Sequence, residues 1–117
     1  VVLPGYVSGD LIKGAYGRSN IFFFPSREET EGIVVLEALA CRCNILLRDI
    51  PVFSDWLHDG INCYMGKNTD EFVSIIKKMI NNEYPSLIDE GYKVAKERNL
   101  SKIGKELLEV YEATLSL

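Results

Sequence analysis

The chain has 117 residues, a hydrophobic fraction of 47% and a charged fraction of 26%, which are ordinary values for one globular domain with its own core. A formal net charge of -4 argues against a nucleic-acid-binding surface, and no apolar stretch approaches the roughly 20 residues that span a bilayer. The three cysteines and the single histidine are too few to build a metal site, so we predict reduced thiols and no metal.

Short apolar runs alternate with helical stretches, and this pattern favours an α/β fold with a parallel, Rossmann-like sheet covered by helices. In chain order we predict strands at residues 1–3, 21–25, 44–48 and 62–65. Helices are predicted at about 10–17, 32–42, 69–81, 86–99 and from 101 onward, with a short irregular or helical segment at 50–57. Asp10 and Ser101 are the expected N-caps of two of these helices.

The chain opens directly in an apolar run, without an initiator methionine or the basic region of a signal peptide. We therefore expect residues 1–117 to be one partial domain, the later part of a doubly wound domain in a longer protein.

The stretch from Pro25 to Ala40 carries two glutamates, Glu29 and Glu37, separated by seven residues, with Gly32 between them. The residues after Gly32 are apolar except for Glu37, and a carboxylate is rarely buried without a partner because desolvating an unpaired charge is expensive. Glu37 therefore faces a cleft or meets donors from other elements. In open parallel sheets, ligands bind at the carboxyl ends of strands, so this pattern indicates a ligand site at the start of a buried helix.

The backbone amides at that helix start are candidate phosphate ligands. The N–H groups of Gly32, Ile33 and Val34 would lack intrahelical acceptors, and Gly32 would let a ligand approach the backbone closely.

The acidic residues around this helix start oppose phosphate binding. They are equally explained as side chains that complement the helix dipole, each worth about 0.3–1 kcal/mol, and the spacing alone does not choose between the two interpretations. The dipole does not explain Glu37, which lies inside the helix. Its two carboxylate oxygens suit the vicinal hydroxyls of a diol such as ribose.

The run PSREETEGIVVLEALA resembles the signature of the retaining glycosyltransferases of family 4, which have the GT-B fold. That family's pattern is Pro-Ser, two residues, Glu-Gly-Phe-Gly, and an aliphatic run into Glu-Ala-x-Ala. The flanking segments GYVSGDLIKGAYGRSNIFFFPS and RDIPVFSDWLHDGINCYM are also similar to the family, so the resemblance covers essentially the whole chain. It implies that the chain is part of the C-terminal, donor-binding domain of a GT-B glycosyltransferase.

The resemblance also implies roles for individual residues. In the family the first glutamate of the pair contacts the donor sugar near its reacting carbon, which implies a catalytic role for Glu29. The second glutamate binds the nucleotide ribose, which implies this role for Glu37. The backbone amides that hold the donor diphosphate fall on Thr30, Glu31, Gly32, Ile33 and Val34. The resemblance implies no cofactor and no metal, since the nucleotide-sugar donor is itself the substrate.

The sequence departs from the family pattern at several positions. Thr30 and Glu31 replace the usual Gly and Phe, and Pro51 and Val52 stand where the family has Gly-Gly. The combination resembles bacterial enzymes that glucosylate diacylglycerol from UDP-glucose. This implies transfer of a hexose to a hydroxyl acceptor by a cytoplasmic protein whose longer parent lies peripherally on the inner face of the cell membrane.

The family places the cations that neutralise the diphosphate upstream of this segment, and the acceptor site in an N-terminal lobe. We therefore expect the lipid or sugar acceptor to bind through that lobe, and the 117-residue chain alone to be inactive. Two alternatives stay open. One is a UDP-sugar epimerase of similar architecture, with its catalytic acids elsewhere. The other is a non-enzymatic, receiver-like signalling module with Asp49 as the phospho-acceptor, although no acidic pair precedes Asp49.

Overall fold

A parallel three-stranded sheet lies at the centre of the fold, in a computed structural model that describes residues 1–116. The strand order is β1 (Phe22–Phe24), β2 (Ile45–Arg48) and β3 (Tyr64–Gly66). In the register, Phe23 lies beside Leu46, which in turn lies beside Tyr64. The predicted α/β class with a parallel sheet is confirmed.

The helices connect and cover these strands in the predicted order. They are α1 (Gly9–Arg18), α2 (Ile33–Ala40), α3 (Thr69–Ile80), α4 (Ile88–Glu97) and α5 (Leu100–Leu115), with a 3₁₀ turn at Pro51–Phe53. Asn68 caps α3, because its side chain accepts a hydrogen bond from the Glu71 amide at 3.0 Å. None of the described helices combines the length and the apolar content that crossing a bilayer requires.

The alternation of side chains along β2 divides the core between the two faces of the sheet. Ile45 and Leu47 are buried on the face covered by α2 and α4, whereas Leu46 is buried on the opposite face with Tyr64 and Phe72. The larger cluster also includes residues from α2 and from the segment after β2, namely Val35, Ala38, Leu39, Phe53, Trp56 and Leu57. The sheet is therefore sandwiched between helical layers, as expected for a parallel sheet.

Three local predictions are wrong. Residues 1–3 form no strand, and their side chains are exposed, because no described strand lies beside them to pair with their backbone groups. Asp10 is not an N-cap, since α1 begins at Gly9 and Asp10 lies in its first turn. Ser101 is not an N-cap either, because the helix begins one residue earlier and Asn99 accepts from the Lys102 amide at 3.0 Å.

Two predicted apolar helix faces differ in what covers them. The helix α2 is only half buried: one face is in the core, and the opposite face, with Ile33, Val34 and Glu37, is exposed. The prediction of a buried helix therefore holds for only one of its faces. The helix α5 has apolar side chains at helical spacing, but none of them is buried among the described residues.

Candidate functional site

The candidate site lies at the carboxyl edge of the sheet, where the loop at residues 25–32 follows β1. This loop faces the segment that follows β2, and the two enclose a cleft of about 340 Å³ lined by Arg27, Glu28, Glu29, Ile50, Pro51 and Val52. Glu29 is half buried there, and the side chains of Glu28, Thr30 and Glu31 are exposed. Within the loop, the Ser26 hydroxyl donates a hydrogen bond to the Glu28 carbonyl at 2.7 Å.

Gly32 determines how the loop enters α2. Its φ of +76° lies in the left-handed region, which residues with a Cβ rarely adopt. A Cβ atom at this position would lie 2.5 Å from Cε1 of Phe53, a side chain that is completely buried. Gly32 is therefore required by its own backbone conformation and by packing against the 3₁₀ turn, two constraints that the sequence did not reveal.

The first amides of α2 are available to a ligand. The first hydrogen bond of the helix runs from the Val35 amide to the Gly32 carbonyl at 2.9 Å. Among the described residues, nothing accepts from the N–H groups of Gly32, Ile33 or Val34. Three adjacent N–H groups at a helix N-terminus form an anion-binding geometry. The predicted amides of Gly32 to Val34 are thus brought together at one point.

The Thr30 amide is placed differently. It donates to Oε1 of Glu29 at 3.1 Å, so the carboxylate folds back onto the backbone of its own loop. A diphosphate that used this amide would have to displace the Glu29 side chain from it.

The cations near the loop compensate little of its negative charge. The Arg48 guanidinium lies at the same edge of the sheet, but it donates to the Pro25 carbonyl at 2.9 Å and the Lys67 carbonyl at 2.6 Å. These bonds tie together the segments that follow β1 and β3. The Lys67 ammonium lies 3.8 Å from the Asp49 carboxylate. Arg27 is exposed. The repulsion between the loop glutamates and a phosphate is therefore not compensated by these neighbouring cations.

Glu37 lies in a second depression, formed between α1 and α2 and distinct from the Glu29 cleft. This depression of about 290 Å³ is lined by Gly9, Ile12, Lys13, Tyr16, Glu37, Ala40 and Cys41. Burial and the nearby Glu37 carboxylate raise the pKa of Tyr16 above its ordinary value. The two glutamates of the motif thus face different surfaces: Glu29 lies in the cleft before α2 begins, and the Glu37 depression lies beside the C-terminal half of the helix. Lys13 and Tyr16, which α1 contributes, were not singled out as site residues from the sequence.

Comparisons with known proteins find a matching family and similar proteins. The family described as "Glycosyl transferases group 1" matches residues 1–106. This chain belongs to that family. The processive diacylglycerol alpha-glucosyltransferase of Acholeplasma laidlawii is 43% identical over 117 residues, which is 100% of this chain and 35% of that glycosyltransferase. The alpha-galactosylglucosyldiacylglycerol synthase of Streptococcus pneumoniae (strain ATCC BAA-255 / R6) is 28% identical over 67 residues, or 57% of this chain and 18% of the relative.

The family membership confirms the resemblance found in the sequence, and it does not support the receiver-like alternative. This glycosyltransferase chain spans about a third of the length of its Acholeplasma laidlawii relative. In the part of the chain that the structure describes, no three side chains of the types that bind metals come together.

Proposed function

We propose that this chain is the donor-binding part of a retaining glycosyltransferase that transfers glucose from UDP-glucose to a hydroxyl group of diacylglycerol. The observation that carries the proposal is the start of α2, where the amides of Gly32, Ile33 and Val34 have no acceptor among the described residues, with Glu29 in the cleft before the helix and Glu37 in a depression further along it. The 43% identity to a diacylglycerol alpha-glucosyltransferase supports the choice of sugar and acceptor.

The first step of the proposed chemistry is the placement of the donor. The diphosphate accepts from the amides of Gly32, Ile33 and Val34, with Thr30 and Glu31 beside it. The ribose hydroxyls donate to the carboxylate of Glu37. The glucose ring then lies in the cleft below the loop, where Glu29 accepts from its hydroxyls and aligns the anomeric carbon. Such alignment lowers the barrier by fixing the reacting groups before the reaction.

The bond changes follow from this placement. The acceptor hydroxyl oxygen bonds to the anomeric carbon, the bond from that carbon to the diphosphate oxygen breaks, and the hydroxyl proton passes to the departing diphosphate. The sugar of UDP-glucose is α-linked, so an α-linked product corresponds to attack on the same face. The amides at the helix start stabilise the charge that develops on the leaving group. We propose no resident cofactor, since UDP-glucose is the substrate.

The acceptor and the compensating cations belong to the rest of the parent protein in this proposal. The loop carries Glu28, Glu29 and Glu31, and its nearest cations are engaged elsewhere or exposed. Cations supplied from outside the chain would neutralise the diphosphate. An N-terminal lobe would bring the lipid acceptor to the cleft, at the inner face of the cell membrane.

Substitutions of the two glutamates in the full-length parent test the proposal. A hydrogen bond to a charged group is worth about 1.5–3 kcal/mol, so Glu37→Gln should weaken UDP binding roughly 10- to 150-fold with a smaller loss of kcat. Glu29→Gln should chiefly lower kcat and leave UDP affinity nearly intact, because the sugar is aligned most strictly in the transition state.

Glu83→Gln is the control, since it removes an exposed carboxylate that lines neither the Glu29 cleft nor the Glu37 depression. Turnover by Glu83→Gln should be close to that of the parent. The anomeric configuration of the product, measured by proton NMR coupling constants, checks retention. Near-normal turnover by Glu29→Gln, with only a slightly lower melting temperature, would show that Glu29 merely complements the helix dipole.

A further inference from the structure

The depression between α1 and α2 contains one carboxylate in surroundings that are largely apolar. Its lining includes Ile12, Ala40 and Cys41, and the polar groups that face Glu37 from α1 are Tyr16 and Lys13. Glu37 lies on the exposed face of α2. A glutamate on such a face samples many rotamers, and a ligand that needs a single rotamer must restrict them.

Tyr16 is held rigidly beside this carboxylate. Its carbonyl accepts a hydrogen bond from the buried Cys43 thiol at 2.7 Å, which joins the end of α1 to the segment after α2. Its ring meets that of Phe22 edge to face, with the centroids 5.5 Å apart and the planes at 70°. The phenol ring is half buried. These contacts restrain both the backbone and the ring of Tyr16, and the residue lines the same depression as Glu37.

We propose that Tyr16 is a positioning residue whose hydroxyl donates to the Glu37 carboxylate and holds it in the orientation that accepts the ribose hydroxyls. This inference rests on the proposed function, because it takes ribose binding as the role of Glu37. A carboxylate has about four lone-pair sites, so it accepts from a vicinal diol and from a phenol at the same time. The helix α1 holds the Tyr16 hydroxyl in place before the nucleotide binds. Less of the binding free energy of the nucleotide is then spent on ordering the Glu37 side chain.

The protonation of Tyr16 suits this role. Burial and the neighbouring Glu37 charge both raise the pKa of Tyr16, so the phenol keeps its proton throughout the neutral range. An ionised Glu37 can only accept, and a protonated Tyr16 supplies the donor. Lys13 faces the same depression and is exposed, so its ammonium is well solvated.

A double-mutant cycle in the full-length parent tests the proposal, with UDP as the probe. Tyr16→Phe keeps the ring and its packing on Phe22 but removes the hydroxyl. We expect it to weaken UDP binding about 3- to 10-fold by calorimetry, which is the loss of one hydrogen bond. KM for the donor should rise by a similar factor, and kcat should stay within about 2-fold, since the ribose is held alike in the ground and transition states.

The second arm of the cycle combines Tyr16→Phe with Glu37→Gln. If Tyr16 acts through Glu37, the double variant should bind UDP about as weakly as Glu37→Gln alone. Tyr64→Phe is the control for a purely structural hydroxyl, because Tyr64 donates to the Pro85 carbonyl at 2.6 Å. This control should lower the melting temperature and leave UDP affinity unchanged.

Three results would overturn the inference, and they differ in whether the ribose role of Glu37 fails as well. If Tyr16→Phe leaves the Kd of UDP unchanged, or if the losses from Tyr16→Phe and Glu37→Gln multiply, Tyr16 does not position Glu37, but the proposed function stands. If Glu37→Gln itself leaves the Kd of UDP unchanged, the ribose role of Glu37 fails, and the role of Tyr16 fails with it.

Discussion

Replacing Gly32 by alanine should destabilise the fold by about 2–5 kcal/mol, and two separate terms make up this cost. The φ of +76° is one of them, since a residue with a Cβ loses about 1–2 kcal/mol in the left-handed region. The added Cβ would also lie 2.5 Å from Cε1 of Phe53, and overpacking a core typically costs about 1–3 kcal/mol. Phe53 is completely buried, so its ring cannot move away freely.

Gly60 provides the control that separates these terms. Its φ is +74°, but a Cβ there would meet nothing within 4 Å. Gly60→Ala should therefore cost only the backbone term of about 1–2 kcal/mol. The difference between the two variants measures the clash with Phe53.

Urea unfolding of the 117-residue chain provides the measurement. Trp56 is the only tryptophan in the chain, and its ring lies 5.8 Å from that of Phe53 between centroids, so its fluorescence reports on this part of the core. In a double variant, Phe53→Leu should recover part of the loss caused by Gly32→Ala, because it removes the clashing atoms. A loss from Gly32→Ala no larger than that from Gly60→Ala would refute the packing constraint.

Three further predictions concern Gly91, Gly104 and Cys63. Gly91→Ala should destabilise by about 1–3 kcal/mol, because its Cβ would lie 2.7 Å from Cδ2 of Leu39 and 3.1 Å from the carbonyl oxygen of Asn62. Gly104→Ala, in an exposed helix with open space around it, should instead stabilise by about 0.5–1 kcal/mol in the same urea assay. Burial raises the pKa of Cys63 from 9.0 to about 12, so the unfolded chain releases the thiol proton first as the pH rises. The free energy of unfolding should therefore be insensitive to Cys63 below pH 9 and fall between pH 9 and 12, and Cys63→Ala should remove that part of the decline.

The regular elements could be predicted because their patterns are local. The apolar run around Phe23 and the one around Leu46 became β1 and β2, and the spacing of apolar residues located α3 and α4. The helix ends were less accurate, because Asn99 and Ser101 can both cap a helix, and only the folded backbone selects one of them.

The wrong predictions concern segments whose structure depends on contacts with residues distant in the sequence. The strand predicted at residues 1–3 has suitable side chains, but a strand also needs a partner for its backbone groups. The helix α5 has the apolar spacing of a packed helix, but periodicity does not indicate what covers the face.

The site itself could be predicted only in part. The spacing of Glu29 and Glu37 placed them around a helix start, but it did not show that they face different depressions. The contact that fixes Gly32 and the position of Tyr16 beside Glu37 join residues that are distant in the chain. Contacts of this kind follow from how helices pack on the sheet, and no local pattern encodes them.

The fixed position of Gly32, next to a loop whose side chains are largely in solvent, bears on how sugar preference could change by mutation. New side chains at positions 28, 30 and 31 would meet solvent and not the core, so varying them costs little folding free energy. A Cβ at Gly32 would instead destabilise the start of α2, whose amides the proposed function assigns to the diphosphate. If the proposed function holds, the side chains that can be exchanged to admit another sugar are separate from the backbone that every nucleotide donor must share.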